Sequence, residues 1–355
     1  MISVPQNLLL NINSALKLSS SKMQKQFEKY KQQKFNPVIH NSSDLFNQRL
    51  ENSFLAYLMT MANKNKSKKN KLYQFYKYFF DTCETNLDNF PLFFTTDQIR
   101  IFLFSLLGNE LIQTKSVFEE EYTTLQSQIS KKEFEFEEYI KYRLFTYNKL
   151  VNISGTSSII PFIDIIETNP ITFNLQVNYT FENQSISLFA NKEIKKKEKL
   201  VLAMVEMTNM ASFIIYGKTY EENKNYLEHF KIARISPYFL KEKNLNPMFA
   251  NSNLIDLMKP RFYDEVIPEY MELSKMLKGD GSSVSALKLL IENIETLRKQ
   301  YTQVTTSALM KNFFDLKVVG NINSILDTEK NFLDKKIREL KKILSYVDKE
   351  KKSDL

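Results

Sequence analysis

The stretch Ser158 to Pro170, SIIPFIDIIETNP, sits where the chain changes from helical to extended character. Just after it, Phe173, Leu175, Val177, Tyr179 and Phe181 alternate with polar residues, the period-two pattern of a half-buried strand. Asn183 and Gln184 stand where a turn is needed, and Ile186, Leu188 and Ala190 resume the alternation, so a hairpin is expected. A third strand is expected from Lys199 to Met204. Thr208 to Asn225, TNMASFIIYGKTYEENKN, follows this β-rich part.

On either side the pattern is helical. Leu50, Phe54, Leu55, Leu58 and Met61 recur at helical spacing behind the polar run Asn41 to Asp44. Asn63 to Lys71 (NKNKSKKNK) has no apolar residue and reads as an exposed loop. Thr95, Thr96 and Asp97 offer caps for a helix expected to end near Gly108, and Val117 to Tyr147 is again helical and heavily charged. Beyond Ile232 helices return. Leu287, Leu290, Ile291, Ile294, Leu297 and Tyr301 form one apolar stripe. Phe332, Leu333, Ile337, Leu340, Ile343, Leu344 and Val347 form another, and both read as packing faces of antiparallel helices.

Composition sets limits. With 355 residues, 43% hydrophobic and 25% charged, the chain can bury two domain cores. The formal charge of +8 is spread over many lysines, which fits an acidic partner or a crowded assembly. Without clustered arginines it does not point to nucleic acid, though it leaves that partner open. Cys83 is the single cysteine, so no internal disulfide forms, and His40 and His229 lack any metal-ligand spacing. The most apolar window, Ile101 to Leu107, is far short of the roughly 20 residues that span a bilayer. No acidic residue precedes Glu28, while Lys17, Lys22 and Lys25 do, as in a mitochondrial targeting segment without its arginines. A mitochondrial or cytoplasmic location is left open. No GxxxxGK[ST] or GxSxG motif is present. Glu119, Glu120 and Glu121, and the glutamates at 133, 135, 137 and 138, read as the solvated face of a helix.

Helices, a β segment and a helical tail in this order resemble the SET-domain protein methyltransferases. The nearest branch is the RuBisCO large-subunit methyltransferase and actin-histidine methyltransferase type. Pro161 and Asp164 match the proline and aspartate that precede that branch's Asn-His pair. Thr208-Asn209 and Tyr216-Gly217 match its Ser-Asn, apolar run and Tyr-Gly, and Arg143 and Phe145 match its Ser-Arg-x-Phe element. Ile2 to Pro5 resembles the strand after its glycine-rich segment. The resemblance implies an α+β fold, a small β-rich SET-like core with a helical insertion followed by an all-α C-terminal domain. The implied boundaries are a SET-like domain over 1–231 with the insertion at about 42–150, a helical substrate-binding-like domain over 232–348 and a charged tail over 349–355.

Set against that branch, the polar positions differ. Its GxG segment precedes the Ile2 strand and is expected to be missing, since Met1 opens the chain there. Glu167 and Thr168 stand at the Asn-His positions, and neither reproduces an amide or an imidazole. Met204 and Val205 stand where the branch has a tyrosine and glycine, and Lys197 replaces the glycine of its KKGE turn. These differences lead to the expectation of a non-catalytic pseudoenzyme. It would have no catalytic, cofactor-binding or metal residues, no cofactor and no small-molecule substrate. Its partners would be other protein subunits, contacted through tail residues such as Phe249, Leu254, Leu257, Met258, Phe262 and Tyr263. The alternative is an active AdoMet-dependent protein lysine or histidine methyltransferase.

Overall fold

The protein's structure, a computed structural model, describes residues 2–5, 10–32, 43–82, 87, 90–128, 134–153, 156–160, 166–169, 172–180, 185–203, 208–220, 230–245, 254–305 and 308–353. The chain begins with β1 (Ile2–Pro5), β2 (Leu10–Asn11), α1 (Ile12–Leu18), α2 (Ser21–Tyr30), α3 (Ser43–Lys64) and α4 (Lys71–Thr82). Then come α5 (Thr96–Arg100), α6 (Leu106–Gln128), α7 (Phe136–Lys149), β3 (Leu150–Ile153), β4 (Thr156–Ile159) and β5 (Glu167–Asn169). β6 (Leu175–Thr180), β7 (Ser185–Ala190), β8 (Val201–Ala203), α8 (Asn209–Tyr216), β9 (Lys231–Ala233), α9 (Pro237–Glu242) and β10 (Leu254–Asp256) follow. Helices close the chain: α10 (Ile267–Lys278), α11 (Ser283–Thr305), α12 (Ala308–Phe313) and α13 (Leu316–Ser353). The chain forms two compact units. The first holds Met1–Phe93, Ile112–Met207 and Ala211–Asn223; the second holds Phe94–Leu111, Thr208–Met210 and Lys224–Leu355.

In the first unit α3 packs against α1, α4 and α7. Leu50, Phe54, Leu55 and Leu58 are buried, but so are Ala56, Tyr57 and Met59, so this helix is enclosed on more than one face. The loop after it covers only 65–70. Asn63 and Lys64 finish α3, and Asn70 Oδ1 caps α4 by accepting the Tyr73 N–H at 3.1 Å.

The glutamates of α6 need correction at one position: Glu121 is fully buried, not part of a solvated face. Its carboxylate accepts from Arg49 Nε at 2.8 Å, from Arg143 Nε and Nη2 at 2.8 and 3.2 Å, and from Tyr139 Oη at 3.0 Å. Arg49 also reaches Glu120 at 2.9 Å. Two guanidinium groups and a phenol thus replace the water that the carboxylate lost.

The expected hairpin forms from β6 and β7, in register from Leu175↔Ala190 to Thr180↔Ser185. β1 adds antiparallel to β7, so Ile2 to Pro5 is a strand of the fold. On the other side β8 runs parallel to both β6 and β5, giving the order β1-β7-β6-β8-β5. A smaller sheet has the order β2-β4-β3. Phe181, Asn183 and Gln184 lie outside the described residues.

In the second unit α11 buries its whole stripe, from Leu287 to Tyr301, and packs on α10 and α13. Leu333, Ile337 and Leu340 of α13 are buried, and Arg298 holds Asp334 through two hydrogen bonds of 2.9 and 3.2 Å. A short antiparallel ribbon, β9 with β10, also belongs here. Thr95 caps α5 together with Gln98, but α5 stops at Arg100, and Gly108 lies inside α6 rather than at a helix end. A Cβ at Gly108 would stand 2.3 Å from the Phe102 carbonyl oxygen, so close backbone approach requires glycine.

The start of α6 is held by a buried carboxylate. Glu329 accepts the Leu106 and Leu107 N–H groups at 2.9 and 3.2 Å and the Tyr301 hydroxyl at 2.6 Å. Burial pushes its carboxyl up to about 7, although these three hydrogen bonds favour the ionised form. A carboxyl raised in this way holds its proton more tightly in the folded than in the unfolded chain. Its contribution is complete below pH 4.5 and is lost as the pH rises through about 7. Relative to Glu329→Gln, the native protein is expected to lose about 3 kcal/mol of stability across that window. Denaturation of both proteins from acid to neutral pH checks this, and a constant difference would contradict it.

Candidate active site

The edge strand β5 places Glu167 and Thr168 side by side. Glu167 carboxylate oxygens meet the Lys199 ammonium in a short ion pair and the Lys218 ammonium at 3.7 Å. The hydrogen bond from Lys199, followed by the charge of Lys218, holds the carboxyl below its usual range. The Lys218 ammonium also lies 5.1 Å over the Tyr220 ring, and the Tyr220 hydroxyl donates to the Thr168 carbonyl at 2.9 Å. Ser212 Oγ donates to the Lys218 carbonyl at 3.0 Å.

The Tyr-Gly pair explains how the chain reaches this strand. α8 ends at Tyr216, and Gly217 takes φ +68° while its N–H closes on the Phe213 carbonyl at 2.9 Å. That left-handed step suits glycine and ends the helix, returning residues 218–220 to the edge of β5.

Tyr216 is half-buried, and the Tyr220 and Tyr147 hydroxyls act on it electrostatically. Burial, then these neighbours, push its hydroxyl up to about 12, so at neutral pH it keeps its proton. Burial does the same to Tyr220. Tyr147, exposed near the end of α7, packs edge-on against Phe118 with centroids 6.3 Å apart. The Arg143 guanidinium lies over both rings, 5.0 Å from Phe118 and 5.6 Å from Tyr147. Its Nε and Nη2 serve Glu121, but Nη1 is buried with no hydrogen-bond partner among the described residues. Within the Ser-Arg-x-Phe match, Phe145 is a core residue, 6.1 Å from the Phe79 ring, whereas Arg143 leads towards the tyrosines. In the first unit Arg143 meets Tyr147, and Tyr220 meets Thr168 and Lys218, which pairs with Glu167; Tyr216 feels the charge of both tyrosines.

Sequence reasoning reached Glu167, Thr168, Tyr216 and Arg143 but missed Tyr147, Tyr220, Lys199 and Lys218. The available signal was the spacing in Tyr216-Gly-Lys-Thr-Tyr220, in which a helix stop brings the second tyrosine onto the strand edge. Pro161, Asp164, Met204 and Val205 lie outside the described residues, as do Phe249, Cys83 and both histidines. Thr208 and Asn209 are buried where α8 begins. Of the tail residues expected to contact partners, Leu257 and Phe262 are core, Tyr263 is half-buried, and Leu254 and Met258 are exposed. No cluster among the described residues could hold a metal ion, and no helix there is long and apolar enough to cross a membrane.

Lys197 takes a left-handed backbone conformation, at φ +69°. For a residue with a Cβ that conformation costs about 1–2 kcal/mol. Lys197→Gly is therefore expected to stabilise the protein by about 1 kcal/mol in urea denaturation. An unchanged midpoint would mean that other contacts already offset the strain.

No family model matches the chain, and no curated protein sequence matches it. Solved structures do. The fold is similar to a structure of Rubisco LSMT bound to AdoMet, with TM-score 0.57 and 13% identity over 98% of this chain and 82% of that chain. It is also similar to the SET domain of LSMT bound to lysine and AdoHcy, with TM-score 0.56 and 12% identity over 96% of this chain and 81% of that one. Rubisco LSMT bound to sinefungin and monomethyllysine matches equally, at TM-score 0.56 and 13% identity over 98% and 83%. The chain has a SET-domain methyltransferase-like fold.

This corrects the expectation that the chain is not an enzyme. The structures it matches over nearly its whole length hold a methyl donor, its product or an analogue, with lysine or methyllysine in some. The expectation treated Glu167 as uncompensated charge and looked for hydroxyls only at motif positions. In the structure Lys199 and Lys218 both pair with Glu167.

Proposed function

We propose that this chain is an AdoMet-dependent protein methyltransferase that modifies a lysine or histidine side chain. The observation that carries the reading is the polar environment of Tyr216, set in a fold shared along 98% of the chain with an AdoMet-bound structure. The fit to the donor rests on the orphaned Arg143 Nη1. A buried N–H without an acceptor is costly, and a carboxylate such as that of the donor's methionine moiety would satisfy it. When bound, AdoMet supplies an electrophilic methyl on a sulfonium: the N–C bond forms as S–C breaks, and the nitrogen releases a proton.

The chain's own part is positioning. Tyr216 keeps its proton, so its oxygen offers both a donor and lone pairs to an incoming amine or imidazole without adding charge. Tyr220, tied to the Thr168 carbonyl, fixes the segment that carries Tyr216. The Glu167 pair with Lys199 and Lys218 leaves one net positive charge there, which favours the neutral form of a nearby nucleophilic nitrogen. Division into a SET-like domain over 1–231 and a helical substrate-binding-like domain over 232–348 is part of this proposal.

Incubation with AdoMet carrying a tritiated methyl group and a protein extract tests the reading. Label recovered as methyllysine or methylhistidine after hydrolysis is expected. Absence of protein-bound label, with donor intact and enzyme folded, would count against it.

A further inference from the structure

We infer that the β7–β8 turn is a built cationic surface that docks an acidic segment of the protein substrate, beside the site proposed above. The inference rests on that reading and adds to it a substrate class: a target residue flanked by aspartates and glutamates.

The turn carries Lys192, Lys195, Lys196, Lys197 and Lys199 within eight residues, with Glu193 and Glu198 as its only acids. Two of the lysines are engaged, Lys199 by Glu167 and Lys192 by Glu198. Lys195, Lys196 and Lys197 are exposed and carry no ion pair among the described residues.

A lysine run on a floppy loop would be a solvated connection and nothing more. This one is held from inside. Buried Asn174 accepts the Val201 N–H at 2.8 Å and donates to the Lys199 carbonyl at 2.8 Å and to Glu198 at 3.1 Å. The other Glu198 oxygen accepts the Lys195 N–H at 2.9 Å, while the Glu198 N–H closes on the Lys195 carbonyl at 2.9 Å. At the centre of the turn Lys197 sits at φ +69°, a conformation that glycine would adopt without strain. A strained cationic residue on an anchored turn is an arrangement that costs stability and presents charge. Preorganisation of this kind lowers the ordering cost of binding. Through Lys199 the turn is joined to Glu167, which also pairs with Lys218 two residues from Tyr216.

The test is fluorescence anisotropy with a labelled oligoglutamate peptide and the full chain, without donor. Lys195→Gln/Lys196→Gln/Lys197→Gln is compared with Lys66→Gln/Lys68→Gln/Lys69→Gln, which removes three exposed lysines, without ion pairs among the described residues, from the loop after α3. The turn variant is expected to bind about tenfold more weakly at low salt, a gap that closes near 0.5 M salt as screening shortens to about 4 Å. The loop variant and a triple arginine version of the turn are expected to bind like the native protein. Equal losses from both glutamine variants would assign the effect to net charge and overturn the inference, as would no loss from either. Tighter capture of a labelled oligouridylate by the same three lysines would also overturn it. Since no donor is present, failure here leaves the methyl-transfer reading standing, and failure of the labelling assay leaves this result readable.

Discussion

Glu121→Ala is expected to unfold the first unit's helical part, with a loss of about 3–5 kcal/mol. Glu121 is fully buried and has two guanidinium groups and a phenol as partners. Removing it strands Arg143, whose Nη1 already lacks an acceptor among the described residues, as an uncompensated buried cation. The surrounding burial raises the Tyr30 and Tyr139 hydroxyls far above their ordinary range, so neither can supply the missing charge. Against a total stability of about 5–15 kcal/mol for a typical domain, a loss of this size is decisive. Urea denaturation followed by circular dichroism measures it. Glu121→Gln, which keeps shape and an acceptor oxygen, should lose less. Equal midpoints for native and Glu121→Ala protein would mean that the network contributes nothing to stability.

Tyr216→Phe is expected to lower methyl transfer by about 100-fold, since it removes one oxygen that positions the nucleophile. Folding should be unaffected, because Tyr216 is half-buried and Phe fills the same volume. Donor binding should persist, since the donor carboxylate is proposed to meet Arg143 and not Tyr216. The informative readout is the pattern: turnover falls, the melting temperature holds and donor affinity holds. If all three fall together, Tyr216 is a structural residue. If none falls, another hydroxyl, Tyr147 or Tyr220, orients the substrate.

Much of the scaffold could be read in advance because apolar residues announce their faces. The α11 stripe from Leu287 to Tyr301 is buried as its period requires, and the Leu175 to Ala190 hairpin forms in the register its alternation sets. The parallel pairing of β8 with β5 was not legible, since alternation encodes a strand's faces but not its neighbours. Neither was membership of residues 94–111 in the second unit. It depends on aromatic contacts such as Phe94 with Phe314 at 4.8 Å, between residues far apart in sequence. Gly108 looked like a helix end because glycine serves both stops and close approaches.

At the site the difficulty is of another kind. A charged residue reads as solvated until its partners are known, and Glu121 finds Arg49 and Arg143 from two other helices. Glu167 likewise reads as a lone charge in the sequence, yet Lys199 and Lys218 share it. Matching residues one by one to a family motif detects loss at those positions and is blind to supply from elsewhere. Tyr147 and Tyr220 stand at no motif position, yet both act on Tyr216.

Whether a methyl donor enters this chain is the question on which the rest turns, and isothermal titration of AdoMet into the purified protein answers it. A saturable signal of one donor per chain is expected, lost in Arg143→Met protein whose circular dichroism shows it folded. A flat titration with folded native protein would contradict that expectation.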